Sequence, residues 1–407
     1  MSLPDAVSRR VTRLLCAYAA THVHIAHCGP VTEGWSAQFG PNPWPWVTRC
    51  AIEDATGVAP ASVIVKVRRP EGHRRGELEQ LQNERAALEF LTAIGSALGP
   101  RLLAADDDAG ILVIEDLGAG PALEDLLLGS DPSVAERGLV AFAGTLGRLH
   151  AATVGHATEY YQVRSRRGPV DPAVDRISIL GVDIARAWGH LRKIVADCPY
   201  IPTPQGVDSD VDGLLRVLSE PGSYLAFSNG DTCPANCRML DGGVRFIDFE
   251  HASFRHALLD AAALRFPFPA CGCWSRLPRD VGRRAEEAYR TEMACSCPDV
   301  LDRASYAHGL TVACAAWTIV RAVRLPKLEN ADEAHPLRFS RRGQLLDTID
   351  ATVDCAHHSR SLQSLASWLA SVGDALRARW SHVASPQPVY PAFQSRNSSG
   401  SETTVNH

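Results

Sequence analysis

The sequence predicts an α+β protein in which short strands around one helix fill the first third and a longer, mainly helical region follows. Val63-Ile64-Val65-Lys66-Val67 and Ile111-Leu112-Val113-Ile114 are short β-branched runs, the second entered through the turn residues 106–110. Between them Leu78, Leu81, Ala86, Leu88 and Leu91 form an apolar stripe at helical spacing, and Gly95 and Gly99-Pro100 stop it. After Leu117-Gly118-Ala119-Gly120-Pro121 the pattern turns helical, over roughly 134–153, 181–196, 281–295, 308–324 and 358–379. One β segment at about 223–250 interrupts it.

The chain has 407 residues, 45% hydrophobic and 21% charged, with a formal net charge of -5. That is an ordinary composition with room for two domains and a sizeable core. No block of like charge supplies the basic footprint of a nucleic-acid binder. No run approaches the roughly 20 apolar residues of a membrane-spanning helix, so neither nucleic acid nor membrane is an expected partner. Arg9, Arg10 and Arg13 ahead of an apolar run imitate a signal peptide, but Val7, Val11, Leu14, Leu15 and Tyr18 recur at helical spacing and predict a surface helix. Twelve cysteines are too sparse for a disulfide scaffold and predict reduced thiols in a cytoplasmic protein. Cys271/Cys273 and Cys295/Cys297 could together offer four thiolates to zinc, yet zinc sites favour C-x-x-C spacing, so plain thiols are expected. The stretch 385–407 is polar and Pro/Ser-rich and predicts a disordered tail.

The informative run is Asn229 to Glu250. Within it Asp241-Gly242-Gly243 signals a tight turn between two short apolar strands, predicting a hairpin. A turn centred on Gly242 sets Leu240 against Val244 and Asn236 against Asp248. Directly opposed residues have Cβ atoms about 5 Å apart, so an amide oxygen and a carboxylate would project together. Such a pair suits Mg²⁺, which takes one or two carboxylates plus water and phosphate oxygens. Asp231, on the loop just before, adds a third acidic or amide group; the bland alternative is that Asp231 and Asn236 only cap turns.

Asn229-Gly230-Asp231-x-x-x-x-Asn236, followed by Ile247-Asp248-Phe249-Glu250, resembles the catalytic loop and metal-binding motif of the aminoglycoside phosphotransferase and choline-kinase-like family, relatives of protein kinases in fold. Other pieces follow in that family's order: Lys66, Glu84 within Asn83-Glu84-Arg85-Ala86-Ala87-Leu88, a hinge-like Ile114-Glu115-Asp116-Leu117-Gly118, Leu146-Gly147-Arg148-Leu149-His150, and Asp260. The resemblance spans roughly 60–265. It implies a two-lobed, protein-kinase-like fold: a small antiparallel-sheet N-terminal lobe with one helix over 1–117, and a larger mainly helical lobe over 118–384 carrying the catalytic loop and acceptor site.

The resemblance also implies ATP and Mg²⁺ as cofactors and phosphoryl transfer to a hydroxyl of a small molecule, a reaction in which protein supplies positioning and charge. Lys66 would hold the α- and β-phosphates with Glu84 fixing its ammonium, and backbone groups near Glu115 and Leu117 would carry the adenine. Asn236 and Asp248 would bind the metal, Asp231 would be the catalytic base, and Asp260 would brace the loop. Two positions depart from the family pattern: Asn229 stands where a histidine is usual, and Arg255 where a glycine is. The glycines ahead of the first strand, Gly29, Gly34 and Gly40, are scattered through a Trp- and Pro-rich stretch and form no compact phosphate-covering motif.

Two other classes compete with an ATP-dependent small-molecule kinase: a nucleotide-binding pseudokinase with a regulatory role, and an interaction protein docking through its helical half. Asn229 and the irregular glycine stretch motivate the pseudokinase, but retention of Lys66, Asp231, Asn236 and Asp248 together argues against it, because a binding module needs no base. Charges in the helical half are near balance, with Arg283-Arg284 and Arg341-Arg342 prominent, which tilts the acceptor away from antibiotics carrying several amines. Trp188, Trp274 and Trp317 could line an acceptor pocket, but their helical spacing predicts core positions.

Overall fold

Strand β3, Ser62–Val67, buries Val63 and Val65 and leaves Ile64 and Lys66 on its other face, as the two-residue period of an extended chain requires. In this computed structural model the described residues are 3–31, 46–68, 77–266, 268, 271, 275–332 and 340–394. Gly34, Gly40, Cys273, Trp274 and the tail beyond Gln394 lie outside them. The architecture is α+β, with an antiparallel sheet in the N-terminal part and helices through most of the rest.

The chain divides into two compact units, the first made of 1–125, 158–170 and 235–252. Its five-stranded sheet has β3 flanked by β2 (Val47–Asp54) and β5 (Ile111–Glu115), with β1 (Val23–Pro30) and β4 (Leu102–Asp106) at the edges. All four pairings are antiparallel. Helix α1, Asp5–Ala19, lays Val11, Leu15 and Ala19 into a core shared with Cys50, Ile52, Val63, Val65 and Val113. The N-terminal helix is thus part of the sheet's hydrophobic core. Helix α2, Glu77–Ala93, is the helix expected between the two predicted strands. Strands β1, β2 and β4 were not among the expectations; β2 alternates cleanly, burying Thr48, Cys50 and Ile52, whereas edge strand β1 carries His24 and His27 and shows no such contrast.

Two late stretches of chain join this unit because polar groups on α2 require them. Asn83 Nδ2 donates to the carbonyls of Glu250 (3.1 Å) and Ala252 (2.8 Å), while its Oδ1 accepts from Tyr160 Oη and Arg164 Nε, each at 2.9 Å. A single cut of the chain at 117/118 therefore does not describe the unit.

The hairpin forms, but one residue out of the expected register. Strands Cys237–Leu240 and Gly243–Phe246 pair Leu240 with Gly243 and Met239 with Val244, across a two-residue turn at Asp241-Gly242. Gly243 takes φ 112°, a conformation open to glycine, and so enters the ladder itself instead of the turn. Asn236 and Asp248 are consequently not directly opposed; the Asn236 carbonyl accepts from Ile247 N at 3.0 Å. A one-residue slip turns an extended strand's side chains to the other face, and here the chain leaves the extended state at Asp248, whose φ is 63°.

The second unit comprises 126–157, 171–234 and 253–407. Helix Pro132–Thr153, capped by Asp131, crosses helix Arg279–Met293 closely at Gly147, where a Cβ would sit 2.5 Å from the Tyr289 carbonyl. A long helix, Arg303–Ala322, is capped by Asp302 and begins earlier than its apolar stripe suggested. The helix expected over 358–379 runs Gln363–Arg379, and a further helix, Arg341–Ser359, which was not among the expectations, precedes it; Arg360 and Leu362 adopt positive φ between the two. Strands Leu225–Ser228 and Ser253–His256 form an antiparallel pair. The segment 385–394 is ordered, contrary to the expected start of a tail: Val389 bridges Arg276, and Tyr390 and Phe393 are fully buried, so apolar anchors hold a polar-looking stretch.

Among the described residues no helix is long and apolar enough to cross a membrane.

Candidate active site

In the first unit the face of β3 turned away from the α1 core presents Lys66 to a pair of carboxylates. Its Nζ lies 2.8 and 2.7 Å from the two oxygens of Glu84 on α2, and 2.9 Å from Asp248 Oδ1. Glu84 is 1% exposed, so its charge is compensated by contact and not by water. Burial pushes the Glu84 carboxyl up, and the Lys66 ammonium offsets only part of that. Burial alone would lower the Lys66 ammonium, yet Asp248 and Glu84 hold it above its usual value.

One ammonium is thus shared by two carboxylates. The donor types suit a hard divalent cation such as Mg²⁺: Asp248 could offer a carboxylate, and Asn236, held by its backbone to the residue before Asp248, an amide oxygen. Phe249, fully buried beside Asp248, packs on Gly99, where a Cβ would stand 3.0 Å from its ring, and its N–H donates to Glu84 Oε1 at 3.4 Å. This anchorage holds Asp248 in its left-handed backbone conformation, a strain of the kind stored at functional sites.

The predicted hinge is fixed from both sides. Glu115 is gripped by Arg245 (3.1 and 2.8 Å), and its own N–H donates to the Arg101 carbonyl, so that donor is already committed within the sheet. Asp116 binds Arg49 through Nε (2.7 Å) and Nη2 (3.0 Å) and accepts from Ser62 Oγ at 2.7 Å. Although burial would raise the Asp116 carboxyl, Arg49, Ser62 and the Gly118 amide hold it below the ordinary range. Leu117, half-buried, follows directly on this clamp.

In the second unit the loop carrying Asp231 follows strand Leu225–Ser228. Gly230 N donates to Ser228 Oγ (2.8 Å), and the Asp231 carbonyl accepts from Cys233 N (2.8 Å) and from Asn229 Nδ2 (3.3 Å). A buried polar chain stands behind it. Tyr289 Oη meets His150 Nδ1 at 2.9 Å, His150 Nε2 meets Asp260 Oδ2 at 3.1 Å, and Arg255 Nη2 bonds both Asp260 Oδ1 and the Gly230 carbonyl, the latter at 3.3 Å. Burial would raise Asp260, but Arg255, His150 and Ser228 hold its carboxyl far below the usual range. Both departures from the family pattern are therefore structural participants: Asn229 and Arg255, 2% and 1% exposed, each bond the loop that bears Asp231.

Lys66, Glu84 and Asp248 are thus brought into direct contact, with Asn236 tied to the residue preceding Asp248, while Asp231 belongs to the second unit with Asp260 behind its loop. Sequence reasoning missed Asn83, Tyr160 and Arg164, and the Arg49–Asp116 and Arg245–Glu115 pairs. Only Asn83, beside Glu84, and Asp116, inside the hinge motif, stood next to a signal that could have found them. Trp188 and Trp317 are core residues, the indole of Trp317 donating to the Leu259 carbonyl at 2.8 Å. A cavity of about 510 Å³ in the second unit is lined by Leu264, Arg265, Gly282, Glu286, Leu310 and Cys355 among others, and by none of the predicted site residues. Of the cysteines considered for zinc, Cys271 and Cys297 are buried and Cys295 exposed.

No protein-family model matches the chain, and no curated protein does. Among solved structures it is similar to choline kinase LicA from Streptococcus pneumoniae, at 15% identity over 90% of this chain and 98% of that one, with a TM-score of 0.43. It is also similar to the gentamicin complex of APH(2")-IIa (12% identity, 89% and 99% covered, TM-score 0.46). A third is amicoumacin kinase hAmiN with AMP-PNP, Ca²⁺ and Ami (13% identity, 88% and 95% covered, TM-score 0.45). Choline kinases and aminoglycoside phosphotransferases are the group whose motifs this sequence resembles.

Proposed function

We propose that the chain is a Mg²⁺-dependent kinase that moves the γ-phosphoryl group of ATP to a hydroxyl of a small molecule. The observation that carries this reading is the Lys66–Glu84–Asp248 cluster, an ammonium held between two carboxylates from a strand, a helix and a late loop. Lys66 has the charge to neutralise the α- and β-phosphates, and Glu84, buried and bidentate, fixes its position. Asn236 and Asp248 would hold Mg²⁺, which when bound offsets phosphate charge. The hinge backbone after the Asp116 clamp, at Leu117, would take the adenine, and Glu115 serves by holding that backbone through Arg245 and Arg101.

Asp231 is the proposed base. Its carboxylate takes the proton of the acceptor hydroxyl as that oxygen bonds to the γ-phosphorus and ADP departs. The buried Arg255–Asp260–His150 chain supports this role by tying down the Gly230 carbonyl next to it. Asn229, which stands where a histidine is usual, supports the loop through its bond to the Asp231 carbonyl.

The deciding experiment is Asp231→Asn, assayed for ATP consumption against amino-sugars, macrolides, amino alcohols and nucleosides. Turnover of the acceptor is expected to fall by roughly 10²–10⁴-fold with little change in ATP affinity. Wild-type protein that binds Mg²⁺-ATP but turns over none of the panel, with Asp231→Asn indistinguishable from it, would overturn the enzyme in favour of a nucleotide-binding regulator.

A further inference from the structure

Strands β1 and β2 place Cys28 directly opposite Cys50, and the two sulfurs stand 2.6 Å apart. Directly opposed residues of an antiparallel pair have Cβ atoms about 5 Å apart, close to the span a disulfide bridges. The two thiols differ in access. Cys28 is half-buried on the edge strand, whereas Cys50 is fully buried in the core with Val63 and Val65.

We propose that Cys28 and Cys50 are a redox modification site that closes into a cross-strand disulfide by exchange with a low-molecular-weight disulfide such as oxidised glutathione. Cys28, the accessible partner, attacks one sulfur of the small disulfide as thiolate and expels the other half as a thiolate, leaving a mixed disulfide. Cys50 then loses its proton and attacks the Cys28 sulfur, expelling the second small thiolate. Two protein thiols are oxidised and one small disulfide is reduced to two thiols, so electrons and atoms balance. Burial and the neighbouring Cys28 sulfur hold the Cys50 thiol well above the ordinary thiol range. Cys50 is accordingly inert toward bulk oxidant and reacts with the one sulfur that touches it.

The two cysteines are 22 positions apart, and the chain that joins them would become a closed loop. Closing a loop of this size constrains the unfolded chain, so the oxidised protein should melt higher, by on the order of 5 °C. The neighbour of Cys50, Arg49, grips Asp116, so the same bond fixes the strand end from which the hinge is clamped.

The test equilibrates the full chain across a series of reduced-to-oxidised glutathione ratios, blocks free thiols and maps peptides by mass. A linked pair of peptides carrying Cys28 and Cys50, reversed by dithiothreitol and accompanied by the rise in Tm, is expected. Cys50→Ser should instead trap glutathione on Cys28, and Cys28→Ser should leave Cys50 unmodified under native conditions. The wild-type map needs no variant to fold. Both residues blocked as free thiols in the most oxidising buffer, or glutathione carried on Cys28 of the wild type with no cross-link, would overturn the proposal.

Discussion

Asp248 reaches Lys66 at 2.9 Å from a backbone turned to φ 63°, so a strained residue supplies the second carboxylate on the Lys66 ammonium. The charge and the strain of Asp248 separate cleanly in one substitution. Asparagine tolerates the left-handed region and keeps the side chain's size, but carries no charge. Asp248→Asn should leave thermal stability unchanged or slightly raised while Mg²⁺-dependent ATP affinity falls at least tenfold by calorimetry. Equal affinities for wild type and variant, with and without Mg²⁺, would remove Asp248 from the metal.

Lys66 and Glu84 should behave as one device. Removing the ammonium strands a carboxylate that is 1% exposed, so Lys66→Ala is expected to cost about 3–5 kcal/mol in urea denaturation, while Glu84→Gln costs less. In kcat/KM the two substitutions should be strongly non-additive, the double variant falling no further than Lys66→Ala alone. Losses that simply add would mean that Glu84 does not act through Lys66.

How much of this was legible turns on what kind of signal each residue gave. β3, β5 and α2 announced themselves by hydrophobic period, and the Asp231, Asn236 and Asp248 spacing announced a site. The hairpin was legible, but its register hung on whether Gly243 belonged to the turn or to the ladder, a difference of one residue that local sequence does not decide. Arg255 read as a departure from pattern because its partners, Asp260 and Gly230, are visible only once two strands and a helix are placed. Val389, Tyr390 and Phe393 were outvoted by the polar residues around them, since composition averages over a window while burial acts on single side chains.

Arg255 and Asp260 form a buried pair, 1% exposed each, and truncating either leaves an uncompensated charge. Arg255→Met should destabilise by about 3–5 kcal/mol, and Asp260→Asn in the same background should recover part of that loss. A double-mutant cycle by chemical denaturation measures the coupling, expected above ~1.5 kcal/mol. Additive losses would show that the pair does not brace the loop as described.

Asp347 should give the protein a pH-dependent stability. Burial pushes its carboxyl up to about 7, and the Gln387 amide, donating to Oδ2 at 3.1 Å, only partly offsets this. A folded-state value above the unfolded one means that the contribution is fully present below about pH 4 and is lost as pH rises through about 7. Asp347→Asn can still accept the Gln387 bond. It should therefore be more stable than wild type by about 1–3 kcal/mol at pH 8, with the difference shrinking toward pH 4. A pH-independent difference between the two denaturation curves would assign the titration elsewhere.

The first unit recruits 235–252 to complete itself, and the Lys66–Asp248 contact spans 182 positions. A chain leaving the ribosome presents the sheet and α2 long before their last partners exist. Asn83 waits for the carbonyls of Glu250 and Ala252, and Lys66 for Asp248. Vectorial synthesis therefore finishes the first unit only after more than half of the polypeptide has been made, so nascent chains stalled short of residue 252 hold an incomplete unit whose longest-range contacts are still unformed.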